Sequence, residues 1–214
     1  MPTLSQKYDL TGRHVAVFGA TGLVGSAVAR QAAAAGARVT ALGRDREKLD
    51  SLVDELGSDA RARVVDLSPG ATGPFDDGER VDLALTPLGG EIPTAELSAL
   101  DVDTVDTLVH NKFMLQVRAL QQALPHLADD GTVVLYSGLA SRHPMPGYAA
   151  LTAVNAGLEA LAKAASEEAG KRVVCVASTF VKTGGGDGAV TPEQVADASL
   201  GLEGRAGGDV IDVA

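Results

Sequence analysis

Residues 14–37, "HVAVFGATGLVGSAVARQAAAAGA", decide how this chain is read. A short β-rich run, "HVAVFG", passes straight into three glycines at a GxxGxxG spacing, Gly19, Gly22 and Gly25, and then into an Ala-rich helical stretch. Glycine at such a junction permits a tight turn, lets the backbone approach a pyrophosphate, and allows the helix to pack closely on the sheet. The helix start adds unpaired N–H groups and a partial positive charge facing the phosphates. Chance is the alternative in a chain with 25 glycines, but position decides against it. The motif lies in the first strand–helix unit, and a second strand follows at the expected distance. Gly19, Thr21, Gly22, Leu23, Val24 and Gly25 are therefore read as the phosphate cradle of a dinucleotide site.

Outward from this unit, short apolar runs alternate with long Ala/Leu-rich amphipathic ones. Strands are predicted over 14–19, 38–43, 62–67, 81–86, 131–137, 172–177 and 208–213, and helices near 23–35, 45–56, 104–128, 148–169 and 192–203. Near-continuous apolar strands separated by helices predict an α/β fold: a doubly wound parallel sheet covered on both faces. Thr191, Pro192 and Gln194 supply the start signal of the last helix. The segment 68–80, "SPGATGPFDDGER", is too rich in Gly and Pro for a helix and predicts a loop or a single turn. Neither repeats nor a linker interrupt the pattern, so one domain over 1–214 is expected.

Composition narrows the function classes. A net charge of −10 argues against a nucleic-acid partner. No stretch reaches the roughly 20 apolar residues of a membrane span, and the N-terminus lacks a signal-peptide core, so a cytoplasmic protein is expected. The single cysteine, Cys175, sits in "RVVCVA" and reads as a buried, inert residue of a reducing compartment. The four histidines are scattered without metal-ligand spacing, and no G-x-S-x-G context surrounds Ser137. Neither a metal site nor hydrolase chemistry is expected.

The second strand ends "ALGRDREKL", residues 41–49. An NAD-type site places an acid there to hold the ribose 2′-hydroxyl, whereas this chain has Gly43 followed by Arg44. A small residue leaves room for a 2′-phosphate, and a guanidinium can grip it as a fork, which favours NADP(H) over NAD(H). The plainer alternative is that Arg44 and Arg46 solvate a loop while Asp45 caps the next helix.

At 146–155, "PGYAALTAVN" opens the Ala-rich fifth helix with a tyrosine, and Tyr148, Thr152 and Asn155 share one helix face. With the glycine turn and this tyrosine, the chain resembles the short-chain dehydrogenase/reductase family over essentially its whole length. The resemblance implies a Rossmann-like sheet of seven strands in the order 3-2-1-4-5-6-7, a nicotinamide cofactor and a small-molecule substrate. It implies that Tyr148 is the acid/base, that Ser137 binds the substrate carbonyl, and that Asn111 carries a proton-relay water. It further implies that Asp66, with Leu67 beside it, contacts the adenine and that Thr183 contacts the nicotinamide carboxamide. A homodimer or homotetramer is expected from the same likeness, since the family's counterparts of the helices 104–128 and 148–169 pack across two-fold axes.

The departures from the family pattern are equally specific. YxxxK reads "YAALT", so Thr152 stands where the lysine that holds the ribose and activates the tyrosine is expected. NNAG reads "TPLGG", the PG pair reads Ser178-Thr179, and the Ser137–Tyr148 loop is about two residues short. A free tyrosine titrates near ~10, and a nearby ammonium lowers that value. Thr152 carries no charge, Asn155 adds only a second polar contact, and Lys112, Lys163 and Lys182 are poorly placed to substitute. His143 is an alternative titrating group, although a solvated loop histidine is the plainer reading. Two function classes follow: an NADP(H)-dependent carbonyl reductase, which is favoured, or a nucleotide-binding lyase, cyclase, isomerase or regulator without net redox chemistry.

Overall fold

The computed structural model describes residues 8–90, 92–181, 189–202 and 205–214. Seven parallel strands form one sheet in the order β3-β2-β1-β4-β5-β6-β7, as the resemblance implied. They are β1 His14–Phe18, β2 Arg38–Gly43, β3 Ala60–Val64, β4 Val81–Leu85, β5 Leu127–Gly138, β6 Arg172–Ser178 and β7 Val210–Val213. The helices are α1 Leu23–Ala34, α2 Arg46–Leu56, α3 Val102–Leu108, α4 Leu115–Ala123, α5 Ala149–Ala169 and α6 Pro192–Leu200.

Side-chain alternation along the strands builds two cores. Val134, Tyr136, Val174 and Val176 face α1, α2 and α6, while Val133, Leu135, Val173 and Cys175 face α4 and α5. The central β1 is buried at every residue, which is why its sequence reads as one apolar run. The predicted start of α6 is observed as a full capping box: the Thr191 N–H donates to Gln194 Oε1 at 2.8 Å and the Gln194 N–H to Thr191 Oγ1 at 3.2 Å. The crossover between β3 and β4 contains no helix among its described residues. It is anchored instead by Phe75, which packs edge-on against Phe18 at 6.2 Å, and by Glu79, whose carboxylate pairs with Arg61 and Arg63.

Several element boundaries move, among them the last helix, which ends at Leu200, and the last strand, which begins at Val210. The third strand spans 60–64 rather than 62–67, leaving Asp66 and Leu67 beyond its end, because β3 is an edge strand and pairing with β2 stops at Gly43–Val64. The helix expected over 104–128 is broken into α3, a π-helical segment Val109–Met114, α4, and a 3-10 turn Leu124–His126 with Pro125 inside it. β5 then begins at Leu127, four residues before the expected start, with a register shift opposite Val81–Leu83. Periodicity alone does not distinguish a regular helix from one containing a wide turn. Here the wide turn brings Phe113 against α5: a Cβ at Gly157 would lie 3.1 Å from its ring.

Candidate active site

The glycine turn has the geometry its spacing predicts. Gly19 adopts a φ of 72°, and its carbonyl accepts the Gly22 N–H at 2.9 Å, closing the turn after β1. Gly25 lies directly over it: a Cβ there would come within 2.1 Å of the Gly19 oxygen. Gly22 is the N-cap of α1 and supplies no side chain to cap it, and no acid stands in the first turn. Gly22 and Leu23 are exposed, with Thr21 and Val24 partly so, leaving the start of a 12-residue helix open to an anion. A cleft of about 240 Å³ beside this turn is lined by Thr21, Ser26, Arg30, Lys48, Ser51, Leu52 and Glu55. A larger one of about 670 Å³ lies at the opposite, N-terminal ends of the strands. Arg13 there pairs with Asp82 at 2.7 Å and with Asp130 at 3.0 Å. In sheets of this kind ligands bind at the carboxyl ends, so the larger cleft is read as structural.

At the end of β2, Asp45 caps α2 by accepting the Lys48 N–H, and Arg46 pairs with Asp50 at 2.8 Å. Arg44 is exposed and bonds to no described residue, so of the two arginines it is the one free to take a ligand. Asp66 is exposed; the Ser68 hydroxyl and N–H, the latter at 2.8 Å, hold its carboxyl below the usual range. The Arg118 guanidinium donates to the Leu67 carbonyl at 2.9 Å, fixing the chain beyond β3 to α4.

Tyr148 is the N-cap of α5, and its backbone carbonyl accepts the Thr152 N–H at 2.8 Å. Its ring packs against Phe180 at 5.5 Å and beside the cluster of Leu108, Leu151, Val154 and Leu158. Its hydroxyl bonds to no described residue. One and two turns on, Thr152 Oγ1 and Asn155 Oδ1 are buried without partners, as is Thr179 Oγ1 just beyond β6. Buried polar atoms are rarely left unpaired. Three of them near the carboxyl ends of β5 and β6 fit the polar half of a nicotinamide nucleoside, just as the glycine turn fits its pyrophosphate.

Ser137 is not directed at Tyr148. Its hydroxyl donates to Glu159 Oε1 at 3.0 Å, and the Ser141 hydroxyl donates to the same oxygen at 2.6 Å. Arg142 stands 3.5 Å from the other carboxylate oxygen and pairs with Asp212 on β7. Glu159 was missed in the sequence because a glutamate in an Ala-rich helix reads as solvated. The available signal is its place three turns from Tyr148, on the stripe Tyr148–Thr152–Asn155–Glu159. Gln116 was missed too. Wholly buried, it accepts the Tyr136 N–H at 2.7 Å and donates to the Tyr136 carbonyl at 2.9 Å, and Thr86 donates to it at 3.1 Å. It thereby ties α4 to the ends of β4 and β5.

Asn111 lies in the π-helical segment, exposed, with its side chain beside Gly90: a Cβ there would be 3.7 Å from the Asn111 Cβ. Lys112, next to it, is partly buried without an ion pair among the described residues, and desolvation pushes its ammonium down to about 8. His143 is exposed. Cys175 is buried, which pushes its thiol up to about 11 and makes it unreactive. Thr183 and Lys182 lie outside the described residues. No group of His, Cys, Asp or Glu able to hold a metal occurs among the described residues, and no described helix is long and apolar enough to cross a membrane.

Comparison with known proteins bears on the family and the fold. Residues 19–203 match the family described as Enoyl-(Acyl carrier protein) reductase. The 3-oxoacyl-[acyl-carrier-protein] reductase FabG of Rickettsia felis is 26% identical over 183 residues, covering 82% of this chain and 75% of that protein. Among solved structures, the oxidoreductase yciK from E. coli superposes with a TM-score of 0.83 at 20% identity, covering 99% of both chains. The MalC Reductase/Diels-Alderase of Malbranchea aurantiaca superposes with a TM-score of 0.78 at 19% identity, covering 99% of this chain and 98% of that one. With the matched family spanning most of its length and the seven-stranded sheet in the expected order, the chain belongs to the short-chain dehydrogenase/reductase family of oxidoreductases.

Proposed function

We propose that the protein is an NADP(H)-dependent reductase of a small-molecule carbonyl. The observation that carries this reading is Tyr148, whose hydroxyl is unclaimed at the carboxyl end of a sheet that also carries an uncapped glycine turn. When bound, a reduced nicotinamide supplies hydride to the carbonyl carbon. Tyr148 gives its proton to the carbonyl oxygen, so that a ketone or aldehyde becomes an alcohol. Asn111 holds a water that returns a proton toward Tyr148, Thr183 binds the carboxamide, Asp66 and Leu67 flank the adenine, and Thr152 meets the ribose through one neutral hydrogen bond. Ser137 reaches the substrate only by turning away from Glu159.

Arg44 is proposed to read the 2′-phosphate. Arg44→Ala should weaken NADPH by about 1–3 kcal/mol, the scale of a charge-assisted contact, and leave NADH nearly unchanged. Fluorescence titration of both cofactors checks this, and equal losses would remove Arg44 from that role. Turnover is tested with a panel of ketones and aldehydes followed at the nicotinamide absorbance. The second reading, a cofactor-binding lyase, cyclase, isomerase or regulator, is favoured by the neutral Thr152. It predicts NADPH binding with no absorbance change on any carbonyl. A homodimer or homotetramer is proposed as the working assembly, and a monomer in sedimentation at micromolar concentration would contradict it.

A further inference from the structure

The donor count at the end of β5 does not match a site in which Ser137 holds the substrate oxygen. A serine hydroxyl has one proton to donate. Ser137 donates it to Glu159 Oε1 at 3.0 Å, and that oxygen also takes the proton of Ser141. Ser137 Oγ therefore presents lone pairs and no proton to anything else nearby. A carbonyl oxygen accepting a proton from Tyr148 develops negative charge, and a second donor stabilises it.

Of the unclaimed polar groups close by, which include the Thr152 and Thr179 hydroxyls, the Asn155 amide is the one that lies against the end of β5. Asn155 lies on the Tyr148 face of α5 and is 1% exposed, yet its amide bonds to no described residue. Its Nδ2 lies 3.0 Å from where a Cβ would stand on Gly138, the partly exposed last residue of β5. A side chain at 138 would press on that amide and on the Ser178 carbonyl oxygen, 3.2 Å from the same point, so only glycine lets the amide come this close to the end of β5. The atom buried without a partner is Oδ1, and a polar atom so placed destabilises the free protein, which is expected where the amide meets a ligand.

We propose that the Asn155 amide is the donor that binds the substrate carbonyl oxygen beside Tyr148, reaching it past Gly138. The proposal rests on the carbonyl reductase reading. It makes the oxygen site a neutral pair, one amide and one phenol, with no cation and no serine proton required.

The test compares wild type, Asn155→Leu, Asn155→Asp and Ser137→Ala in the full-length protein. Each is melted without ligand, titrated with NADPH, and assayed with acetophenone, 4-nitrobenzaldehyde and 9,10-phenanthrenequinone. Asn155→Leu removes an unbonded polar group, so its Tm should rise above that of wild type while kcat/KM falls about 100-fold or more. Asn155→Asp keeps the shape but exchanges the donor for an acceptor, and should lose a similar factor. Ser137→Ala should lose less than either. A lowered Tm for Asn155→Leu would show an amide with structural partners and overturn the proposal, as would a larger loss in Ser137→Ala than in Asn155→Leu. Wild-type turnover kept in Asn155→Leu removes this inference alone. A wild type that turns over none of the probes removes the reductase reading, and the inference with it.

Discussion

Gly25→Ala is expected to destabilise the protein by about 3 kcal/mol or more, at the upper end of what overpacking a close contact costs. The added methyl would stand 2.1 Å from the Gly19 oxygen, 2.9 Å from the Gly19 carbonyl carbon and 3.0 Å from the Ala20 Cα. All three are backbone atoms, so no side chain can swing aside. Relief requires α1 to lift off the turn, which pulls on the hydrogen bond from Gly22 to Gly19 and on Gly19 at its positive φ. For a chain of this size the loss corresponds to a fall in Tm of about 6–12 °C. Gly22→Val separates stability from binding. Gly22 has a φ of −78° and a ψ of 173°, a conformation open to any residue, and it is exposed. That variant should fold yet fail to bind NADPH or NADH, because a branched side chain would occupy the proposed pyrophosphate path. An unchanged Tm in Gly25→Ala, or retained affinity in Gly22→Val, would remove the turn from the site.

Tyr148→Phe should abolish carbonyl reduction, a loss of about 10²–10⁴ on the scale of a general acid. Its ring contacts with Phe180 and the Leu151–Val154 cluster would persist, so Tm should hardly move, and this separates a proton donor from a packing residue. Thr152→Lys tests the same chemistry from the other side. Alcohol oxidation requires the tyrosinate, the form that a nearby cation favours. Without an ammonium at Thr152, oxidation should therefore climb steeply with pH, while reduction, which uses the neutral phenol, suffers less. A lysine one turn along α5 favours the charged form and should move the alkaline limb of oxidation to lower pH. A gain of about tenfold in oxidation near neutral pH corresponds to about 1.4 kcal/mol. If Tyr148→Phe turns over normally and Thr152→Lys shifts nothing, the reductase reading is wrong.

Glycine spacing, strand runs and caps were legible in the sequence because each is a local signal. A φ of 72° at Gly19 and the close approach at Gly25 are demands that glycine alone meets, and the capping box of Thr191 and Gln194 closes within four residues. The buried strands β1, β4 and β6 read as apolar runs for the same reason that they pack on both faces. The parallel sheet followed from that repeating pattern, and the strand order from the family resemblance carried by the glycine turn and Tyr148. The π-helical segment at Val109–Met114 did not, because the wide turn answers to the packing of Phe113 over Gly157, a contact made across the fold. Nor did the bonds inside the site. Ser137 and Glu159 stand 22 positions apart, and only the seating of α5 on β5 shows that one serves the other. The same seating leaves Asn155 buried and unbonded beside Gly138. Residue type and helix face come from the chain's own order; which donor is already spent, and which is left for a ligand, is decided by neighbours that only the folded sheet and helix bring together.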